Sequence, residues 1–95
     1  MNTPTVMVRD LRVLPSSPGN LKAYADIVLD GITIREVRIV QEQGRAPFVQ
    51  PPLKKTEYQG VTVWRPQISW SDAHQKAVQS LVLAVYRQKL KGVQV

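Results

Sequence analysis

One short segment contains the residue types of a hydrolase catalytic triad: Ser71, Asp72 and His74. A triad needs the histidine between the other two side chains, so that it takes the serine proton while the carboxylate orients it. At the start of a helix, residues 71–74 fan around the first turn instead. Helix capping accounts for Ser71 and Asp72, because a serine hydroxyl and an acid both stabilise a helix N-terminus. We therefore expect no catalytic residue here and no enzymatic activity.

Other site chemistries find little support in the composition. The chain has no cysteine and one histidine, which excludes a thiolate nucleophile, a disulfide framework and a Cys- or His-cluster metal site. Asp26 and Asp30 could form a carboxylate pair, but flanking a hairpin turn is a commoner role for such residues. The five glycines are scattered singly, unlike a phosphate-binding loop. We expect no metal, no cofactor and no small-molecule substrate.

The segment 51–58, PPLKKTEY, combines basic and aromatic residues, and Trp64 and Arg65 follow shortly after it. Such a mixture suits phosphate contact combined with base stacking. Tyr58 and Trp64 could equally belong to the core or its rim. We predict that phosphate groups are contacted by the cations outside the helix C-terminus: Lys54, Lys55, Arg65 and Lys76.

Arg35 and Arg38 are second-rank candidates for the same role. They lie on opposite faces of a strand only if no bulge intervenes. The alternative is that they pair with Glu36 or Asp10.

Positive charge is concentrated in the second half of the chain. The net charge is +6; residues 1–50 hold six basic and five acidic side chains, whereas residues 51–95 hold seven and two. Clustered cations favour a polyanion partner. A solvated surface is the alternative, since Arg87, Lys89 and Lys91 would offset the dipole at the end of a helix.

The length of 95 residues predicts a single domain, 1–95, with its core over about 5–90 and a short tail at 92–95. An apolar fraction of 43% is typical of a globular chain. No apolar run approaches the roughly 20 residues of a membrane-spanning helix. Residues 1–4 lack the basic start of a secretory signal. We expect a soluble cytoplasmic protein with no membrane contact.

Period-two patterns and turn residues predict an α+β fold with a small antiparallel sheet. Asp30-Gly31 is typical of a two-residue hairpin turn, and a change of phase near Arg35-Glu36 predicts a β-bulge. Residues 15–20 and 53–60 are expected to be loops. About five strands are expected, at 5–14, 21–29, 32–40, 46–50 and 61–64.

A C-terminal helix is predicted to pack on this sheet, capped by Ser69 or Ser71 and ending near Lys91. Leu83, Tyr86 and Leu90 form a second apolar stripe that we expect to be exposed, for a second subunit or another partner, unless the C-terminal tail covers it. The face expected to meet the sheet consists of Ala77, Val78, Leu81, Val82 and Val85.

An ordered set of short motifs runs along the chain: Leu29-Asp30-Gly31, Val37-Arg38-Ile39-Val40, Gly44-x-x-Pro47-Phe48-Val49-x-Pro51-Pro52-x-Lys54-Lys55, Pro66-x-Ile68 and Val78-x-x-x-Val82-Leu83-x-x-Tyr86. In this order they resemble the stage V sporulation protein G (septation protein) family over roughly residues 5–90. The chain departs from the family at Pro51, Leu81 and Arg65, where methionine, alanine and histidine are usual.

This resemblance implies a bacterial regulator without catalytic activity. It also implies a small α+β fold, a homodimer formed largely through β-strands, and site-preferring DNA binding, with RNA binding as a further property. The competing interpretation is a protein-interaction module that uses the second helix stripe or an exposed sheet edge.

Overall fold

The computed structural model of the chain describes residues 4–14 and 19–93. Residues 15–18 of the predicted loop at 15–20, residues 94–95 of the predicted tail at 92–95, and the first three residues lie outside them. The α+β prediction is confirmed, and the described residues form six strands in two antiparallel sheets rather than five strands in one. The elements are β1 (Val6–Val13), β2 (Leu21–Leu29), β3 (Ile32–Val40), β4 (Phe48–Gln50), β5 (Leu53–Tyr58), β6 (Val61–Pro66) and α1 (Asp72–Val93).

The first four strands form one sheet in the order β1-β2-β3-β4. Strand β2 lies inside the sheet and alternates from Lys22 onward, so that one set of its side chains is buried and the other is half-exposed. This alternation is the pattern of an antiparallel sheet with one covered face. The core residues contributed by the sheet are Leu11, Ala23, Ala25, Ile27, Leu29, Val37, Ile39 and Val49.

The predicted turn and bulge are both present. Asp30 and Gly31 have φ angles of 49° and 83°, the left-handed pair that a tight hairpin requires. Glu36 has a φ of 60°, and the β2–β3 register shifts opposite Asp26. The Asp26 carboxylate accepts a hydrogen bond from the Glu36 backbone N–H at 3.0 Å, which holds the bulge in place.

Helix α1 begins after Ser71, which confirms one of the two predicted caps. The Ser71 hydroxyl accepts a hydrogen bond from the His74 N–H at 3.2 Å, and its carbonyl accepts one from the Gln75 N–H at 2.8 Å. No helix in the described part of the chain is both long and apolar enough to cross a lipid bilayer.

The second apolar stripe of the helix is not exposed. Leu83 and Tyr86 are 7% and 6% exposed, and Leu90 packs against the same core. Among the residues predicted to face the sheet, only Val78 and Val82 are fully buried, whereas Leu81 is half-buried. The prediction of an exposed Leu83, Tyr86 and Leu90 stripe is therefore wrong, because the helix is rotated about its axis toward those residues.

Two glutamines explain this rotation. The Gln75 side-chain amide donates to the Val49 carbonyl at 2.9 Å, and the Gln79 carbonyl lies 3.4 Å from the Val49 N–H. Gln75 also bonds Gln79 at 3.1 Å and accepts from the Trp70 indole. These contacts turn the two glutamines toward β4, and they satisfy backbone groups that an edge strand otherwise leaves open.

Strands β5 and β6 form a separate hairpin. Gln59 and Gly60, with φ angles of 51° and 79°, make the two-residue turn between them, so the prediction of a loop at 53–60 is wrong. The polar composition of β5 concealed a strand that Pro51-Pro52 separates from β4. The hairpin makes no extensive contact with the sheet or the helix. The radius of gyration, 14.2 Å, exceeds the roughly 12 Å of a compact domain of this length, as expected when one element projects.

Candidate nucleic-acid interface

Three of the four first-rank cations lie at the base of the β5–β6 hairpin. Lys54 is directly opposite Arg65, and Lys55 is directly opposite Trp64. Side chains in such pairs stand roughly 5 Å apart at Cβ. This register was not predicted from the sequence, because residues 53–60 were expected to be a loop.

Strand alternation sorts these residues onto two faces of the hairpin. Lys54 and Arg65 share one face with the Thr56–Val63 and Tyr58–Val61 pairs. Lys55 and Trp64 share the other face. Like charges directly opposite each other destabilise a strand pair, so a bound anion between Lys54 and Arg65 would relieve their repulsion.

The cations of the hairpin have no acidic partners within the described residues. No ion pair there involves Lys54, Lys55 or Arg65. Lys54, Lys55 and Arg65 are all exposed. Their charge is therefore available to a polyanion.

The two aromatic residues of the hairpin are on its surface, which resolves an alternative left open by the sequence. Tyr58 is 62% exposed and Trp64 is 59% exposed, and Val61 beside Tyr58 is 61% exposed. Neither aromatic side chain belongs to the core or its rim. Both offer ring faces for stacking.

Lys76 is exposed in the second turn of the helix. Since the hairpin makes no extensive contact with the helix, packing does not join Lys76 to the hairpin cations.

Arg35 and Arg38 lie on the sheet face that points away from the helix. The bulge at Glu36 places them on that same face even though they are three residues apart. Neither forms an ion pair with Glu36 or Asp10 within the described part of the chain.

A row of side chains on that open face was missed by the sequence reasoning. Arg12 is opposite Tyr24, Tyr24 is opposite Arg38, and Arg38 is opposite Gln50, so the row crosses all four strands. The alternation in β2 could have identified Tyr24 as outward-facing. The bulges in β1 and β3 decide which residues stand beside it, and only the fold shows their effect on the register.

Acidic residues fix one end of this row. Arg12 bonds the Asp10 carboxylate at 2.7 Å and both oxygens of Asp26 at 3.1 and 3.3 Å. The Arg12 hydrogen bonds, followed by the one from the Glu36 N–H, lower the pKa of Asp26 below its usual range. Arg12 is thus held in one position, whereas no ion pair among the described residues restrains Arg38.

The serine and histidine of the triad-like segment do lie in line, but with a different acid. The Ser71 hydroxyl is 2.7 Å from His74 Nδ1, and His74 Nε2 is 2.7 Å from the Asp30 carboxylate. The expectation that these side chains simply fan apart is therefore wrong, although Asp72 takes no part. Asp30 also accepts a hydrogen bond from the Thr5 N–H at 2.8 Å, and these two contacts, the Thr5 bond first, lower its pKa.

This chain of hydrogen bonds lies beside an apolar groove of about 440 Å³, whose wall includes Ile34, Ile68 and Trp70. The Ser71 hydroxyl is already the acceptor that caps the helix. The contacts join the β2–β3 turn to the first turn of α1.

Comparison with known proteins found no matching family model, no matching curated protein and no matching solved structure.

Proposed function

We propose that this protein is a non-catalytic nucleic-acid-binding regulator of the septation protein G type, with site-preferring DNA binding, and RNA binding as a further property, in the cytoplasm. The observation that best supports this is the direct opposition of Lys54 and Arg65 on an exposed hairpin. Two cations on directly opposed residues can both reach one backbone phosphate, whose single negative charge is shared by two oxygens.

The second face of the hairpin supports the same function. Lys55 stands opposite Trp64, so a cation and a stacking surface are presented together. Phosphate contacts and aromatic stacking are the two sources of affinity for nucleic acid that require no sequence reading.

We further propose that two copies associate through β-strands of the hairpin. An isolated two-stranded hairpin is marginally stable in water, and Tyr58 and Val61, which lie opposite each other at its tip, are both exposed. Pairing with a second copy would cover apolar surface that a monomer leaves in water.

Binding is tested with the double variant Lys54→Ala/Lys55→Ala. Fluorescence anisotropy against labelled duplex DNA, single-stranded DNA and RNA, at about 50 and 200 mM salt, gives the affinity and its salt dependence. The variant should bind more weakly, and the slope of log K against log salt should fall by about one to two units.

The matched control is Lys89→Ala/Lys91→Ala, which removes the same charge from the far end of the helix. It should bind nearly as the unaltered protein does. Equal losses in the two variants would mean that net charge alone attracts the polyanion. Unchanged affinity and slope in Lys54→Ala/Lys55→Ala would remove the hairpin from the proposal.

The competing function is a protein-interaction module. Burial of Leu83 and Tyr86 removes the helix stripe on which it first depended, and the exposed apolar residues of the hairpin now favour it instead. Absence of binding to any of the three nucleic acids at micromolar protein and low salt would support this function.

A further inference from the structure

The four-stranded sheet has one face without a covering element in the described part of the chain. Helix α1 covers the face that contains Ala23, Ala25 and Ile27, which are fully buried. The alternate residues of β2, Tyr24 among them, are half-exposed. A face of this kind in a small domain is available to a ligand.

The row Arg12–Tyr24–Arg38–Gln50 gives this face its chemistry. Because directly opposed side chains are close neighbours, Arg38 stands beside one side of the tyrosine ring, and Arg12, held by Asp10 and Asp26, stands beside the other. An aromatic ring accepts an unpaired base by stacking, and guanidinium planes extend the stacking surface and bind phosphate. The Gln50 amide adds a donor and an acceptor of the kind that base edges require.

Charge complementarity favours a polyanion as the occupant. Asp10 and Asp26 both bind Arg12, so this group of one cation and two carboxylates retains one negative charge, which the other basic residues of the face outnumber. Other basic residues around the row have no acidic partner among the described residues: Arg9, Lys22, Arg35 and Arg38. Lys22 instead donates to the Gly19 carbonyl at 3.0 Å.

We propose that this open face is a second nucleic-acid site, specific for single strands, in which an unstacked base packs on Tyr24 between Arg12 and Arg38. The proposal rests on the proposed function, and it gives the hairpin and the sheet face different roles in binding. The hairpin cations bind the phosphate backbone of any nucleic acid, whereas the sheet face requires a base that is free to leave its stack. A duplex does not offer such a base.

The test compares Tyr24→Leu with Tyr24→Phe. Anisotropy titrations use a labelled single strand of about 12 nucleotides, as DNA and as RNA, and a duplex of the same sequence at about 50 mM salt. Tyr24→Leu should lose roughly 5- to 100-fold in affinity for the single strands, the range found when one stacked base loses its aromatic partner. Duplex affinity should change less than about twofold, and Tyr24→Phe should retain single-strand binding because the ring remains.

A second variant, Arg38→Met, provides the test if circular dichroism shows that Tyr24→Leu is not folded. It retains the apolar stem and removes the charge, so single-strand affinity should fall and the salt slope should decrease by about 0.7. Unchanged single-strand binding in the folded variants, with a loss in Lys54→Ala/Lys55→Ala, would overturn this site and leave the hairpin function intact.

The remaining outcomes are also distinct. Equal losses for single strands and duplex in Tyr24→Leu would contradict the single-strand assignment. Binding of a poly-glutamate peptide as tightly as the single strands would show that the face selects charge rather than bases. Failure of the unaltered protein to bind any nucleic acid would overturn the proposed function and this site together.

Discussion

The four-stranded sheet and the β5–β6 hairpin are both antiparallel, yet they treat their apolar side chains in opposite ways. Ala23, Ala25 and Ile27 of the sheet are fully buried beneath the helix, whereas Val61 and Trp64 of the hairpin are about 60% exposed. Burial of apolar surface is the main favourable term in folding. Stability therefore resides mainly in the sheet and helix, whereas the exposed side chains of the hairpin contribute little to the core and are accessible to a ligand.

The largest change in stability is expected from a substitution in the core. Ile27→Ala should lower the free energy of unfolding by about 2–5 kcal/mol, because it removes packed atoms and leaves a cavity. Val61→Ala, on the hairpin, should change it by no more than about 0.5 kcal/mol. Urea denaturation followed by circular dichroism measures both, and similar losses would mean that the hairpin packs against the core in solution.

A smaller effect is expected where the helix meets the sheet edge. Gln75→Ala removes the donor to the Val49 carbonyl and should cost about 1–2 kcal/mol, since a partly buried acceptor then lacks a partner. Gln88→Ala, on the exposed side of the same helix, is the matched control and should have little effect. A negligible cost for Gln75→Ala in urea denaturation would show that water replaces this contact without loss.

A smaller change in the free energy of unfolding is expected when the pH is lowered. The pKa of Asp26 is lowered in the fold by its hydrogen bonds to Arg12 and the Glu36 N–H, so its carboxylate stabilises the protein fully above the unfolded pKa of about 3.9. That contribution is lost as the pH falls through the lower folded value. Asp26→Asn should therefore be less stable at neutral pH and lose less stability below about pH 4 than the unaltered protein. Parallel stability curves from pH 2 to pH 7 would contradict this.

The smallest effect on stability should come from the hairpin tip, where self-association is the sensitive measurement. Tyr58→Ser/Val61→Ser should leave the free energy of unfolding of the monomer within about 0.5 kcal/mol. Sedimentation velocity over a range of concentrations should show weaker self-association than in the unaltered protein. A dimer that persists unchanged would place the interface on another surface.

The sequence predicted the parts of the fold that local chemistry determines. The Asp30-Gly31 turn, the bulge beside Glu36 and the cap at Ser71 follow from residue types that favour those conformations. Strand β5 escaped prediction because Lys54, Lys55 and Glu57 resemble a solvated loop. Its hairpin makes no extensive contact with the described strands of the sheet or with the helix, so β5 has no apolar alternation that would identify it as a strand.

The candidate site was predicted in its residue types but not in its arrangement. Lys54, Lys55 and Arg65 were identified from charge, whereas their pairing depends on the register of a hairpin that was not expected. The helix face was misjudged because the apolar pattern of the helix does not show that Gln75 and Gln79 pack against β4. Their role depends on Val49, which is distant in sequence.

The glutamine contacts at Val49 also limit how far this sheet can grow. A sheet that grows without limit by edge-to-edge pairing needs two open edges on every copy, one that pairs with the preceding copy and one that pairs with the next. At the β4 edge the helix already occupies the N–H and carbonyl of Val49, so only the β1 edge of this sheet can accept a foreign strand. Joining of two copies through that edge would leave the joined sheet with no open edge, so growth through this sheet would stop at a pair.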